Sequence, residues 1–284
     1  MRLCNQNLVY YTERVVTWAF ALFMISICVF NRKGGVGKTT ITVNLAAALS
    51  LYHRKKVLIV DCDSQGNATS YLNASGENDN MPGLADFLNG GIRETGLAEY
   101  IQHYHFVKKN FMAKSQPCDI DLISGGPDLD SVEIEDGKVL QKAVRELDYD
   151  FIFFDCPPAM SDASVAAMFA ADYVLVPALL DSDSLGGFQY LVDTLTDIKT
   201  AGHEIEIVGI LFNQYNSTAA LDKYLLDELR EGMPKELLFE TLLPRATTAK
   251  NCRQFGVPVC VRESKSKLGT SYEMLAKELL QKVG

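Results

Sequence analysis

Residues 25–50, ISICVFNRKGGVGKTTITVNLAAALS, constrain this 284-residue chain more than any other segment. An apolar run ends at Asn31, Gly34, Gly35 and Gly37 follow closely, and an amphipathic stretch begins at the Lys-Thr-Thr. Glycines lack the Cβ that would block successive backbone N–H groups from turning inward around an anion. The amino end of a following helix adds its positive dipole. In that setting Lys38 reaches the outer phosphates of a nucleoside triphosphate, and the Thr39 hydroxyl is placed to ligate Mg²⁺. The expected cradle is Gly34, Gly35, Val36, Gly37, Lys38, Thr39 and Thr40. The bland alternative is a strand-to-helix turn with an incidental GKTT; against it, strand, loop and helix occur in the order a phosphate site needs.

The rest of the chain continues the pattern. Short apolar runs at 25–30, 56–60, 120–123, 151–154, 173–177 and 206–212, with a shorter one near 238–242, predict strands. Amphipathic segments at 39–52, 84–89, 138–147, 163–170, 185–200, 219–231 and 271–283 predict helices. Most of the strands are too apolar to have a wet face. They imply an α/β fold, a mostly parallel twisted sheet with helices on both faces. With 48% hydrophobic and 22% charged residues, disorder is excluded. Seven scattered cysteines without a Cys-x-x-Cys pair read as reduced cytosolic thiols, with no zinc or iron–sulfur signature. The polar stretch 73–83 reads as a loop rather than a domain boundary.

Ahead of the loop, residues 15–31 carry no charge after Arg14, which raises the question of a membrane anchor. The run is shorter than the roughly 20 residues a spanning helix needs. Its last third is also required as the buried strand that enters the loop. Residues 24–284 are therefore read as a single domain, and residues 1–23 as an extension, either a helical or disordered segment or sequence upstream of a start at Met24.

The loop departs from the general G-x-x-x-x-G-K-[ST] pattern at its first glycine, where Arg32 stands, and it carries Lys33 five residues before Lys38. It resembles the deviant Walker A motif of the ParA/MinD/nitrogenase-iron-protein group of P-loop NTPases. The resemblance covers about residues 24–284 and is closest to the small ParA/Soj partition ATPases. It implies a Mg²⁺-dependent ATPase that dimerises around ATP, with Lys33 reaching the partner's nucleotide. A second cation on developing phosphate charge would then couple hydrolysis to dimerisation. The segment DCDSQGNAT, 61–69, resembles the group's D-x-D-P-Q-G-N-x-T element, with Ser64 where proline is usual. It implies that Asp63 orients the attacking water and that Asp61 supports the Mg²⁺ network; capping or turn-forming aspartates are the alternative. Asp155, before Pro157 and Pro158, matches the D-x-P-P element and implies an indirect Mg²⁺ ligand. Asn213 is implied as an adenine contact, with Pro244 and Arg245 bordering the base.

Charge narrows the subclass. Residues 1–60 hold 8 Lys/Arg against Glu13, residues 61–189 hold 7 against 22 acids, and residues 190–284 hold 12 against 13. No uniform basic coat exists, but Arg245, Lys250, Arg253, Arg262, Lys265 and Lys267 stand against Glu263 alone within 245–267. That run, with Lys199 and Arg230 as secondary candidates, is the expected footprint for nonspecific double-stranded DNA; an ordinary solvated surface is the alternative. The expected partners are a second copy on ATP and a ParB-like stimulating protein, with no membrane, in a nucleoid-associated cytoplasmic setting. Segment 271–283 has two lysines and two glutamates and reads as a core-packing helix rather than a MinD-like membrane helix. The roughly 30 residues ahead of the loop leave no room for an operator-reading helix-turn-helix. The alternatives are a MinD-like or other positioning ATPase acting on membranes or protein complexes, and an adaptor that binds nucleotide without DNA. An iron-protein role would rest on Cys118 and Cys156. Chromosome, plasmid and other cargoes would all use this same site.

Overall fold

The computed structural model describes residues 24–78, 81–90, 96–108, 115–134, 136–181 and 186–284; residues 1–23, and with them the expected extension, lie outside the described set. In chain order the elements are β1 (Ile25–Val29), α1 (Lys38–His53), β2 (Val57–Asp61), α2 (Asn67–Leu72), α3 (Leu84–Asn89), β3 (Ile101–Lys108) and β4 (Gln116–Ile123). There follow α4 (Val139–Val144), β5 (Phe151–Asp155), α5 (Asp162–Ala170), β6 (Tyr173–Ala178), α6 (Gly186–Thr200) and β7 (Glu206–Phe212). The last elements are α7 (Ala220–Gly232), α8 (Thr247–Gln254), α9 (Val259–Arg262) and α10 (Lys267–Val283).

Seven strands form one sheet in the order β3-β4-β2-β5-β1-β6-β7. Every pairing is parallel except β3 with β4. The strands are apolar because both faces are covered. Along β1, Ile27 and Val29 enter one core while Cys28 enters the other; along β5, Phe151 and Phe153 separate in the same way from Ile152 and Phe154. Helices α1 and α10 close the first face with Ile41, Leu45, Leu49, Tyr272, Leu275 and Leu279, all at most 1% exposed. The final helix is thus a core-packing element. Among the described residues no helix is long and apolar enough to cross a membrane.

The departures from expectation have local causes. Strand β3, IQHYHFVK, was not predicted, because it is an antiparallel edge strand whose alternating polar residues show no apolar run. β4 starts at Gln116 rather than 120 because its first residues pair with β3. The expected strand at 238–242 is reduced to one isolated bridge, Ile210 with Leu238, with a second just beyond it between Tyr215 and Pro244. α10 begins at Lys267, four residues early, because the Ser266 hydroxyl accepts the Gly269 N–H and caps it. Register sets the site: Val29 and Asp61 both lie opposite Asp155, so the carboxyl ends of β1, β2 and β5 meet at one edge.

Candidate active site

The loop from β1 to α1 is held from beneath. Asn31 Nδ2 donates to the Pro177 carbonyl at 2.7 Å, while its Oδ1 accepts the Lys33 N–H at 2.9 Å. Lys38 is 8% exposed, and its Nζ donates to the Asn31 and Lys33 carbonyls at 2.9 and 3.3 Å, bridging the loop. Burial lowers its pKa, opposed by Asp155 and Asp63. Gly37 enters α1 with φ 95°. The left-handed backbone demands glycine, and a Cβ there, 2.2 Å from Asn213 Nδ2, would displace the Asn213 amide. Nothing lies within 4 Å of where a Cβ would stand on Gly34 or Gly35, which leaves an open concavity. The cleft above it has a volume of about 800 Å³. The loop and Asp63 line it from one side, with Thr39 and Thr40; Asn213, Pro244 and Arg245 line it from the other.

Three aspartates sit below and beside this cleft, in different states. Asp155 is 1% exposed; its Oδ1 accepts the Thr42 hydroxyl at 3.0 Å, while Oδ2 is buried without a hydrogen-bond partner. Burial, then the neighbouring Asp61, pushes its pKa well above the usual carboxylate range, against the Thr39 and Thr42 hydroxyls that favour its charge. A divalent cation beside Thr39 would satisfy that oxygen and reverse the shift, so the residues present fit Mg²⁺. Asp61 is also fully buried, and burial raises its pKa to about 6. Its Oδ2 accepts the Thr69 N–H and hydroxyl at 2.9 and 2.8 Å, and Oδ1 accepts the Asp63 N–H at 3.2 Å. Its visible work is to anchor α2, and it does not line the cleft. Asp63 does: Oδ1 accepts the Gln65 N–H at 3.0 Å and Oδ2 the Asn67 amide at 3.1 Å. The turn-forming and cleft-facing readings of Asp63 therefore coexist.

The basic residues divide. Lys33 pairs with Asp181, beyond the end of β6. Arg32, at the position of the missing glycine, lies over the Tyr190 ring on α6 with 4.0 Å to its centroid. The expected basic run is not one face. Arg245, Lys250 and Arg253 line the cleft, whereas Lys265 and Lys267 line a separate groove beside Met274. Arg262 lies over Phe255, and Lys199 borders a third groove at the end of α6. Arg230 lies in the last turn of α7. Cys118 and Cys156 are buried at 0% and 1% exposure, so neither is presented to a partner subunit.

Three contacts with the loop and with α2 were not foreseen, although Asn213 itself was singled out. Asn213 reaches the Val36 carbonyl at 2.8 Å, and Gln214, with φ 57°, reaches the Gly35 carbonyl at 3.3 Å. The second links the end of β7 to the loop through a left-handed backbone no motif announces. Arg253 Nη2 donates to Asn67 Oδ1 at 2.8 Å.

Residues 24–207 match a family model described as an AAA domain. The chromosome partitioning protein ParA of Myxococcus xanthus is 33% identical over 268 residues, 90% of this chain and 88% of that protein. The chromosome-partitioning ATPase Soj of Thermus thermophilus is 31% identical over 258 residues, 90% and 96% of the two chains. Among solved structures, cobyrinic acid a,c-diamide synthase of Mycobacterium smegmatis, with a bound ATP analogue and magnesium, superposes with a TM-score of 0.70 at 23% identity, covering 91% of this chain and 95% of that one. The septum site-determining protein MinD of Pyrococcus horikoshii, complexed with Mg-ADP, gives a TM-score of 0.67 at 23% identity over 92% and 98%. These structures share the fold. The relatives, together with the two-lysine loop and the paired strand-end aspartates, place the family: the chain belongs to the ParA/Soj-type ATPases of the AAA-domain family.

Proposed function

We propose that the protein is an ATP-driven dimerising switch of DNA partition, which binds nonspecific duplex DNA in its ATP state and is reset by slow hydrolysis. The observation that carries this reading is the meeting of Lys38 and Asp63 at one cleft, with the buried, unpartnered Asp155 oxygen at the neighbouring strand end and Lys33 held next to the loop by Asp181. Lys38 and the loop N–H groups bind the phosphates, and Asn213, Pro244 and Arg245 border the base. Thr39 and Asp155 would hold Mg²⁺, with Asp61 behind them, and that cation would supply neutralisation of phosphate charge. Asp63 accepts a hydrogen bond from the attacking water and aligns it. Lys33 leaves Asp181 to reach the nucleotide of a second copy. A ParB-like protein stimulates turnover, and paired basic patches hold DNA phosphates on the nucleoid in the cytoplasm.

The test is duplex binding with no nucleotide, with ADP and with ATP–Mg²⁺, using Asp63→Ala to hold the ATP state. Binding restricted to ATP and weakening steeply with salt is the expected result. Absence of binding in every state would redirect the function toward protein or membrane positioning, as in the MinD-like alternative. Steady-state phosphate release, lost in Asp63→Ala, separates the enzyme from a nucleotide-binding adaptor.

A further inference from the structure

The contact between Arg253 and Asn67 joins a residue first read as part of a DNA footprint to the carboxylate proposed for hydrolysis. Asn67 opens α2, and Arg253 lies in the last turn of α8. Arg253 Nη2 donates to Asn67 Oδ1 at 2.8 Å, and Asn67 Nδ2 donates to Asp63 Oδ2 at 3.1 Å. The amide's orientation is forced from both sides, since only its nitrogen can donate to a carboxylate and only its oxygen can accept from a guanidinium. The Gln65 N–H holds the other carboxylate oxygen, so rotation of the Asp63 carboxyl group is fixed. Each oxygen keeps a lone pair for a water. The positive charge of Arg253 polarises the amide and strengthens its bond to Asp63. Two helices must lie close for this to work, and they do. Gly256, just past α8 with φ 64°, has no room for a Cβ, which would meet Ala74 Cβ at 2.6 Å and the Tyr71 carbonyl at 3.1 Å. Arg253 also lines the cleft proposed for the nucleotide.

We propose that Arg253 and Asn67 are positioning residues for hydrolysis, a relay that holds the Asp63 carboxylate in the orientation that aligns water; this rests on the reading of Asp63 given above. Neither residue need touch the nucleotide. The relay predicts that Arg253→Ala and Asn67→Ala each lower kcat about tenfold, the scale of lost outer-sphere support, while the ATP dissociation constant stays near wild type. Arg253→Lys, which keeps one charged donor, restores part of the rate. The double variant Arg253→Ala/Asn67→Ala is no slower than Asn67→Ala alone, because both changes break one chain.

The experiment is steady-state phosphate release at saturating ATP–Mg²⁺ on the full chain, with ATP affinity, duplex affinity and thermal midpoint measured on the same preparations. Additive losses in the double variant overturn the relay. So does an Arg253→Ala protein that keeps its kcat and loses only DNA affinity, since Arg253 would then be a phosphate contact. Should the alanine variant fail to fold, Arg253→Gln keeps the stem and a neutral donor; wild-type turnover in that variant and in Asn67→Ala would equally overturn it. Asp63→Ala is the control that separates the two levels. If it turns over like wild type, the assignment of Asp63 has failed; if it is inactive while the relay variants are unaffected, only the relay has.

Discussion

Lys33 and Lys38 are five residues apart and live under different electrostatics. Lys38 is buried and bound to loop carbonyls, so its loss damages the cradle itself. The Lys33–Asp181 pair is about one-third exposed on each side, at 34% and 35%, and pairs of that exposure contribute only about 0.2–1 kcal/mol. Under the proposed switch, a phosphate of a second copy's nucleotide would compete readily with such a partner. Lys38→Ala is expected to abolish ATP binding by calorimetry. Lys33→Ala is expected to bind ATP as a monomer yet fail to dimerise in light scattering, and Asp181→Asn to dimerise at lower ATP than wild type. A Lys33→Ala protein that dimerises normally would remove the trans role. Lys38 could be located in the sequence from the glycine-rich loop, and Lys33, Asp63 and Asp155 from the elements they resemble; the structure brings the carboxyl ends of their strands to one edge, and their roles belong to the proposal. Asn67 and Gln214 could not be located so, since their roles come from partners 186 and 179 positions away, Arg253 and Gly35.

Elements of the fold follow the same division. The strands and long helices were legible because burial on two faces writes apolar runs and stripes into the sequence. Helix α2, with six residues, and α8, with eight, are too short to be stable alone and are ordered by tertiary contact, which leaves little periodic trace. Within the phosphate loop, Gly37 is a position sensitive to a single methyl group. Gly37→Ala meets both a left-handed backbone and the Asn213 amide at 2.2 Å. Backbone strain of this kind costs about 1–3 kcal/mol, and the displaced Asn213 adds to it. The expected outcome is a lowered urea midpoint together with loss of ATP binding. A variant that keeps both would show that the loop yields more easily than the close approach implies.

At the scale of the whole molecule, the two cores enclose every described cysteine: Cys28, Cys62, Cys118, Cys156, Cys252 and Cys260 are buried. Burial pushes the Cys118 thiol up to about 12, whereas hydrogen bonds with Cys28 and Cys62 hold Cys156 down at about 5, so burial rather than a shared acidity protects the six. Reaction with an aromatic disulfide reagent near pH 8 is therefore expected to label these six only as fast as the protein opens, and to accelerate in denaturant. Rapid labelling of any of them in the folded protein would mean that a core is breached. The sheet's outer margin tells a different story about company. β3 runs along that margin, and His103 and His105 are tied across it to Asp121 and Asp119, with Lys108 at its end. A lysine on an edge strand, as at Lys108, discourages strand-on-strand growth between molecules. The protein thus guards one border against fibre-like stacking, which would be the hazard for any chain proposed to pair with its own copies.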